Sequence, residues 1–396
     1  MGAMRFLFEP APALCVLLAV AAVASVAAGT ARLDDGEPGT RLPVYVGTYT
    51  DGTSRGIYRF DLDTASGATT TPELAAETAN PSFLAMHPNG LILYAVNEVS
   101  DFGGAKMGAV SAFAVDSTGR LFFMNQQPSS GADPCHLAVD PSGRHLLVAN
   151  YSSGTIAVLP LASLGRLSPS SSVHDHRGSG PNPVRQTGPH AHAVVFDPSG
   201  RFVFEADLGA DRIHLFRFDP ASGRLDSDQA RDAALSPGAG PRHLAWHPSG
   251  RLLYAINELG STITAFLFDA LSGELTAVQR VSTLPDGFTG RNTAAEIAVL
   301  PNGRFLFASN RGHDSLAVFA VDPSSGRLTA AGHVPAGGMG PRHFAVDASS
   351  RWLLAANQGS DAITLFRLDA DTGRLTPAGA VAVPSPVCVL FGGPVR

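Results

Sequence analysis

A Pro-x-Gly turn recurs along the chain at Gly90, Gly143, Gly200, Gly250 and Gly303, with Ser350 in the sixth equivalent place. Seven residues after each turn stands an amide or acid: Asn97, Asn150, Asp207, Asn257, Asn310 and Asn357. A second glycine turn ends each unit, at Gly67, Gly119, Gly165, Gly223, Gly273, Gly326 and Gly373. Self-similarity at a period of roughly 50 residues restricts a chain to repeat architectures. The apolar runs, such as RLLYAIN and STITAFLFD, are continuous or of period two, which excludes a helical solenoid. Short β-branched and aromatic strands between glycine turns fit four-stranded blades around a channel.

Seven outer turns face only six inner hairpins. The mismatch resolves if the N-terminal VYVGTYT is a second strand lacking its first, and the C-terminal PSPVCVLFGG is a first strand lacking its second. The sequence therefore predicts an all-β, seven-bladed β-propeller of four-stranded blades, its ring closed by pairing of the N- and C-terminal strands. The propeller is expected over 43–396, after a linker at 32–42.

In an antiparallel hairpin the start of one strand lies beside the end of the next. Residues eight before and eight after each inner turn therefore share one end of their blade, and together they would surround one mouth of the channel. The earlier slot reads Ser82, Cys135, His192, Arg242, Ala295 and Arg342, with Val387 in the closing strand. The later slot reads Glu98, Tyr151, Leu208, Glu258, Arg311 and Gln358, with Thr48 in the N-terminal strand. A scaffold position converges on one residue type, as the Asn/Asp position does, whereas these slots collect a histidine, arginines, a tyrosine and glutamates. Clustered charge in a concave mouth points to a site, and ion pairing on a polar rim is the plainer reading. His136, His243 and His343 repeat one residue further on and are expected to bond neighbouring backbone, with Glu296 in the same place in the sixth blade. His87 and His247 are expected in turns at the far end.

The first residues differ from the rest. Arg5 precedes the apolar run PALCVLLAVAAVASVAAG, and a polar stretch follows, the pattern of an export signal over 1–31; an uncleaved anchor is the alternative. A formal charge of −6, with the arginines dispersed and Lys106 the one lysine, excludes nucleic acid as a partner. No phosphate loop, dinucleotide fingerprint or CxxC pair occurs, so no cofactor or structural zinc is indicated. Cys135 and Cys388 fall in non-neighbouring units, too far apart to pair. A ring closed by its own termini needs no partner, so a monomer is expected. Two loops enter the same rim: Ser168 to Gly188, which reads as a lid carrying His174, His176 or Arg185 or equally as a disordered linker, and Leu284 to Asn292.

The segments PHAHAVVFDPSGRFVF, GPRHLAWHPSGRLLYAINEL, AAEIAVLPNGRFLFASNRG and GPRHFAVDASSRWLLAANQG resemble the lactonase family of seven-bladed propellers, from about Val44 to Gly393. That family includes bacterial 6-phosphogluconolactonases and the fungal enzyme that lactonises carboxymuconate. The resemblance implies a metal-independent site of one histidine, two arginines and a glutamate, which land on His192, Arg242, Arg311 and Glu258, with His190 the other candidate for the histidine. It implies hydrolysis of an anionic sugar lactone, with His192 as general base for water and the arginines on the anionic group and the oxyanion. His190, Arg342, Glu296, Tyr151 and Glu98 are the expected substrate-binding residues. A ring-closing cycloisomerase is the alternative among enzymes, and an exported binding scaffold the alternative outside them. A covalent route through Cys135 beside His136 is disfavoured, and no GxSxG elbow is present.

Overall fold

The computed structural model describes residues 40–393; the expected export signal lies outside them. Seven antiparallel sheets form a seven-bladed β-propeller. Blade 1 orders Pro386–Phe391, Arg41–Thr48, Gly56–Asp63 and Glu73–Glu77, so the C-terminal strand pairs with the N-terminal one and closes the ring. Blades 2 to 7 follow in chain order over 84–128, 134–175, 191–234, 241–282, 293–335 and 341–382. Blade 4 adds a short strand, Ala233–Ala234, beside its third strand.

Both faces of each inner strand pack against a neighbouring blade, which is why those strands read as unbroken apolar runs. Leu252–Asn257 of blade 5 is buried at every residue, as is Trp352–Asn357 of blade 7. The core is accordingly divided among the interfaces. Ile256 and Tyr254 meet Leu306 and Phe319 between blades 5 and 6, while Val44, Val46 and Phe60 meet Trp352, Leu354 and Ile363 where blade 7 meets blade 1. Each fully buried side chain of this kind contributes roughly 1.5–3 kcal/mol.

The outer turn glycines serve both conformation and contact. Gly67 has φ +80°, and a Cβ there would strike the indole of Trp352 from blade 7; that indole Nε1 donates to Thr64 O at 2.9 Å. Tyr45, Tyr94 and Tyr254 likewise donate to Gly119 O, Gly165 O and Gly326 O of the next blade's outer turn. The repeated Asn fastens the inner strand's end to the loop entering its blade: Asn310 Nδ2 donates to Thr283 O at 2.7 Å, and Asn357 Nδ2 to Ala336 O at 3.1 Å. His87 and His247 sit in turns, each 3.0 Å from a turn carbonyl of the next blade, Gly143 O and Gly303 O.

Candidate active site

The channel-lining strands carry a β-bulge at the position that matters. In blade 5, Pro241 faces Asn257 and His243 faces Ile256, leaving Arg242 unpaired between them. The same shift leaves Cys135, His192, Arg342 and Val387 unpaired in blades 3, 4, 7 and 1. A bulge breaks strict alternation and re-aims side chains. Consecutive residues can therefore work in the channel: Arg242 reaches Glu258, while His243 reaches Glu296. The later slot is set by the same hairpin, since Glu258 N donates to Gly240 O and Tyr151 N to Asp133 O.

These positions enclose a cavity of about 370 Å³ lined by Tyr49, Glu98, Cys135, Tyr151, Arg185, His192, Glu258, Thr293, Arg311 and Arg342. Glu258 is its electrostatic centre. Its Oε2 lies 2.9 Å from Arg311 Nη2 and 3.2 Å from Arg242 Nε, and its Oε1 accepts from Arg185 Nη2 at 2.7 Å. Burial pushes this carboxyl up, but Arg311, Arg242 and Arg185 outweigh it and hold it at about 2. Arg242, 2% exposed, stands behind Glu258 rather than on the cavity wall, and its Nη1 donates to Ala295 O at 2.7 Å. Burial and then the like charges of Arg342 and Arg311 lower its pKa to about 10, so it remains cationic.

Across the mouth, Arg342 Nη2 donates to Tyr49 Oη at 2.8 Å, and Tyr49 Oη donates to Glu98 Oε1 at 2.9 Å. Ser82 Oγ donates to the other oxygen of Glu98. His192 is buried against Cys135, with Sγ to Nδ1 at 3.8 Å, and edge-on to Tyr151. Burial, then the charge of Arg242 and neighbouring groups, drives its pKa well below 6.5, so the imidazole is neutral at pH 7. Its Nε2 has no hydrogen-bond partner among the described residues.

His192, Glu258, Arg311, Arg342, Tyr151 and Glu98 line the cavity, and Arg242 backs it. His190 does not line it: its ring stacks on Tyr151 at 4.4 Å and its Nδ1 meets Tyr151 O at 3.0 Å, which supports the wall from behind. Glu296 is also absent from the wall. It lies deeper in the channel, 2.9 Å from His243 Nδ1 and 3.3 Å from His343 Nε2. His136 and His343 accept backbone N–H groups from the next blade, at Val194 and Val389, as repetition predicted, whereas His243 bonds Glu296 instead.

Two features escaped the sequence, Tyr49 and the contact of Cys135 with His192; a third, Arg185, is marked there on its loop without a partner. Thr48 pairs with Pro386 as Asn257 pairs with Pro241, so it holds the scaffold position and the slot falls one residue later, on Tyr49. Aligning the terminal hairpin on its proline would have found it. Arg185 arrives from the long insertion, which also supplies the outer strand Ser172–Asp175 of blade 3. Cys135 faces His192 rather than His136, but burial pushes its thiol pKa up and Sγ lies 3.4 Å from the carbonyl of His192, within reach of a weak S–H donation. A protonated thiol so held is a poor nucleophile.

A propeller with an arginine-rich mouth of this construction belongs to a known class: the chain is a member of the family described as lactonase, 7-bladed beta-propeller, whose sequence model matches residues 43–391. By that membership it is a lactonase, a hydrolase of cyclic esters. It is 40% identical over 309 residues to 6-phosphogluconolactonase of Bacillus subtilis, covering 78% of this chain and 86% of that one. A solved putative 6-phosphogluconolactonase from Bacteroides fragilis superposes with TM-score 0.83 at 37% identity, covering 92% of this chain and all of that one. The periplasmic gluconolactonase of Pseudomonas aeruginosa gives 0.85 at 35%, covering 89% and 99%.

Proposed function

We propose that the protein hydrolyses an anionic sugar lactone of the 6-phosphogluconolactone type by metal-independent attack of water. The carrying observation is the charge of the mouth. Guanidinium groups of Arg185, Arg242, Arg311 and Arg342 gather around the carboxylates of Glu98 and Glu258, an excess of positive charge awaiting an anion. Arg342 and Arg185, on opposite sides of the opening, bind the phosphate or carboxylate; planar guanidinium suits either. Burial is the first cause of the depressed His192 pKa; the anion offsets the second, the charge of Arg242 and Arg342, which makes the imidazole a better base when substrate is present.

His192 Nε2 then takes a proton from water as the water oxygen bonds to the lactone carbonyl carbon. The carbonyl electron pair moves to oxygen, and Arg311 faces the oxyanion. Collapse breaks the ring C–O bond, and the imidazolium returns the proton to the departing ring oxygen. Glu258, held ionised, is too weak a base to compete and serves to position Arg311 and Arg185; Arg242 positions Glu258. The periplasmic relative and the N-terminal apolar run support an exported protein. The test is proton release by purified protein on phosphorylated, carboxylated and neutral sugar lactones. Anionic lactones should lead in kcat/KM by at least about 10-fold, worth ~1.4 kcal/mol. Equal turnover of neutral lactones, or undiminished turnover in both His192→Ala and Arg311→Ala, overturns the reading.

A further inference from the structure

Blade 4 departs from the repeat at a second place, away from the mouth. Five residues after the inner turn, five blades carry Ala95, Val148, Ala255, Ala308 or Ala355, and blade 4 carries Glu205. The residue facing it across the sheet is Ser111, Ala157, Thr264, Ala317 or Thr364 elsewhere, and His214 in blade 4. Two small scaffold residues have thus become a carboxylate and an imidazole standing directly opposite each other.

Glu205 is 0% exposed, and neither of its oxygens has a hydrogen-bond partner among the described residues. An isolated buried carboxylate is costly unless a cation or a proton compensates it. His176, from the insertion, brings Nε2 to 3.1 Å from Glu205 Oε2, yet the two are not aligned as donor and acceptor, and that nitrogen also lacks a partner. His214 Nε2 lies 3.9 Å from the same oxygen and is hydrogen-bonded to Asp207 Oδ2 at 3.4 Å. Its other nitrogen, Nδ1, meets Asp232 Oδ2 at 2.7 Å, and Asp232 is itself fixed by the N–H of Leu215. With Nδ1–H donated to the Asp232 carboxylate, a metal that displaces the Nε2 proton shared with Asp207 meets the Nε2 lone pair, the arrangement found behind metal-bound histidines. The unpartnered Glu205 Oε2 and His176 Nε2, with His214 Nε2 beside them, share a common point of aim. Their separations bracket the ~3.3 Å edge of a tetrahedron with ~2.0 Å metal–ligand bonds.

We propose that His176, Glu205 and His214 bind one divalent transition-metal ion of the zinc class, with Asp207 Oδ2 beside them. Imidazole with carboxylate favours zinc over magnesium or calcium, which prefer all-oxygen shells. A neighbouring cavity of about 450 Å³, lined in part by His176, His214 and Asp232, provides the entry path. The ion fastens the 168–188 insertion to blade 4. Beyond His176 the insertion turns back through buried Gln186, which donates to Leu208 O and Asp211 Oδ1, and presents Arg185 to Glu258. The metal therefore orders the segment that completes the mouth, a consequence that rests on the role proposed for Arg185; the metal site itself does not.

The experiment strips the purified protein with chelator, adds zinc chloride, and follows bound metal by elemental analysis and unfolding by calorimetry. One zinc per chain is expected, with Tm raised by about 5 °C at a hundredfold excess over Kd. Cobalt should give the visible absorption of a tetrahedral site. His176→Ala, altered only on the insertion, should weaken zinc binding by at least about 100-fold. The pair Glu205→Ala with His214→Thr restores the residues blades 5 and 7 use; it should fold without metal and ignore zinc. No zinc bound at millimolar concentration, or equal affinity in parent and both variants, overturns the proposal. Because metal content and Tm are the readouts, that failure leaves the lactonase mechanism standing.

Discussion

Replacing Glu258 with glutamine keeps the side chain's shape and removes the charge on which three guanidiniums converge. The carboxyl sits at about 2 against an ordinary 4.5, and one pKa unit corresponds to ~1.4 kcal/mol, so its ionised form is favoured by about 3 kcal/mol on folding. Glu258 is 3% exposed, so solvent screens little of this. Glu258→Gln should therefore lose about 3 kcal/mol, within the range for breaking a buried pair, and about 5 °C in Tm. The sign follows from a depressed pKa: the contribution is complete above the unfolded value near 4.5 and is lost as pH falls through about 2. The deficit of the variant should be constant from neutral pH down to about 5, then shrink toward zero near pH 2. With Arg311 and Arg185 released, kcat/KM on an anionic lactone should fall by about 100-fold or more. Urea unfolding across pH and steady-state kinetics measure both effects. A deficit under ~1 kcal/mol, or one that persists unchanged to pH 2, would refute the electrostatic account of the mouth.

Three further outcomes follow from the same geometry. Because His192 is held well below 6.5, the acid limb of the kcat/KM profile should lie below pH 6.5, and His192→Ala should cost about 100- to 10,000-fold with little change in Tm; a limb at 6.5 or above contradicts the buried, neutral imidazole. Arg342→Gln should raise KM for phosphorylated or carboxylated lactones by roughly 10-fold or more and leave a neutral lactone nearly unchanged; equal effects on both would remove Arg342 from anion binding. Cys135→Ala should retain most of kcat, since the thiol is protonated and buried, and inactivation of the parent by a thiol reagent with loss of all activity in the variant would restore the covalent route.

The arithmetic of the repeat was legible in the sequence because its cause is local. Left-handed turn glycines, continuous apolar strands and the Asn that fastens each inner strand are set by residues within a single hairpin, so counting turns gave seven blades and a ring closed by its termini. The same counting brought His192, Arg242, Glu258, Arg311 and Arg342 to one mouth, since a hairpin places residues sixteen apart side by side. It could not separate Arg242 behind Glu258 from Arg342 on the wall, because both occupy the earlier slot of their blades and differ only in what neighbouring blades pack around them.

What the tertiary structure decided lies wherever a side chain's role depends on other blades. The bulge lets Arg242 and His243 both serve the channel, against simple alternation. Terminal register moves the slot from Thr48 to Tyr49. The insertion of blade 3 crosses to blade 5 to put Arg185 on Glu258 and stops at blade 4 to put His176 on Glu205. Periodicity reports the contacts a strand makes with itself and its hairpin partner; the path of an aperiodic loop is fixed by where closing the ring leaves buried charge to be met, which only the assembled fold determines.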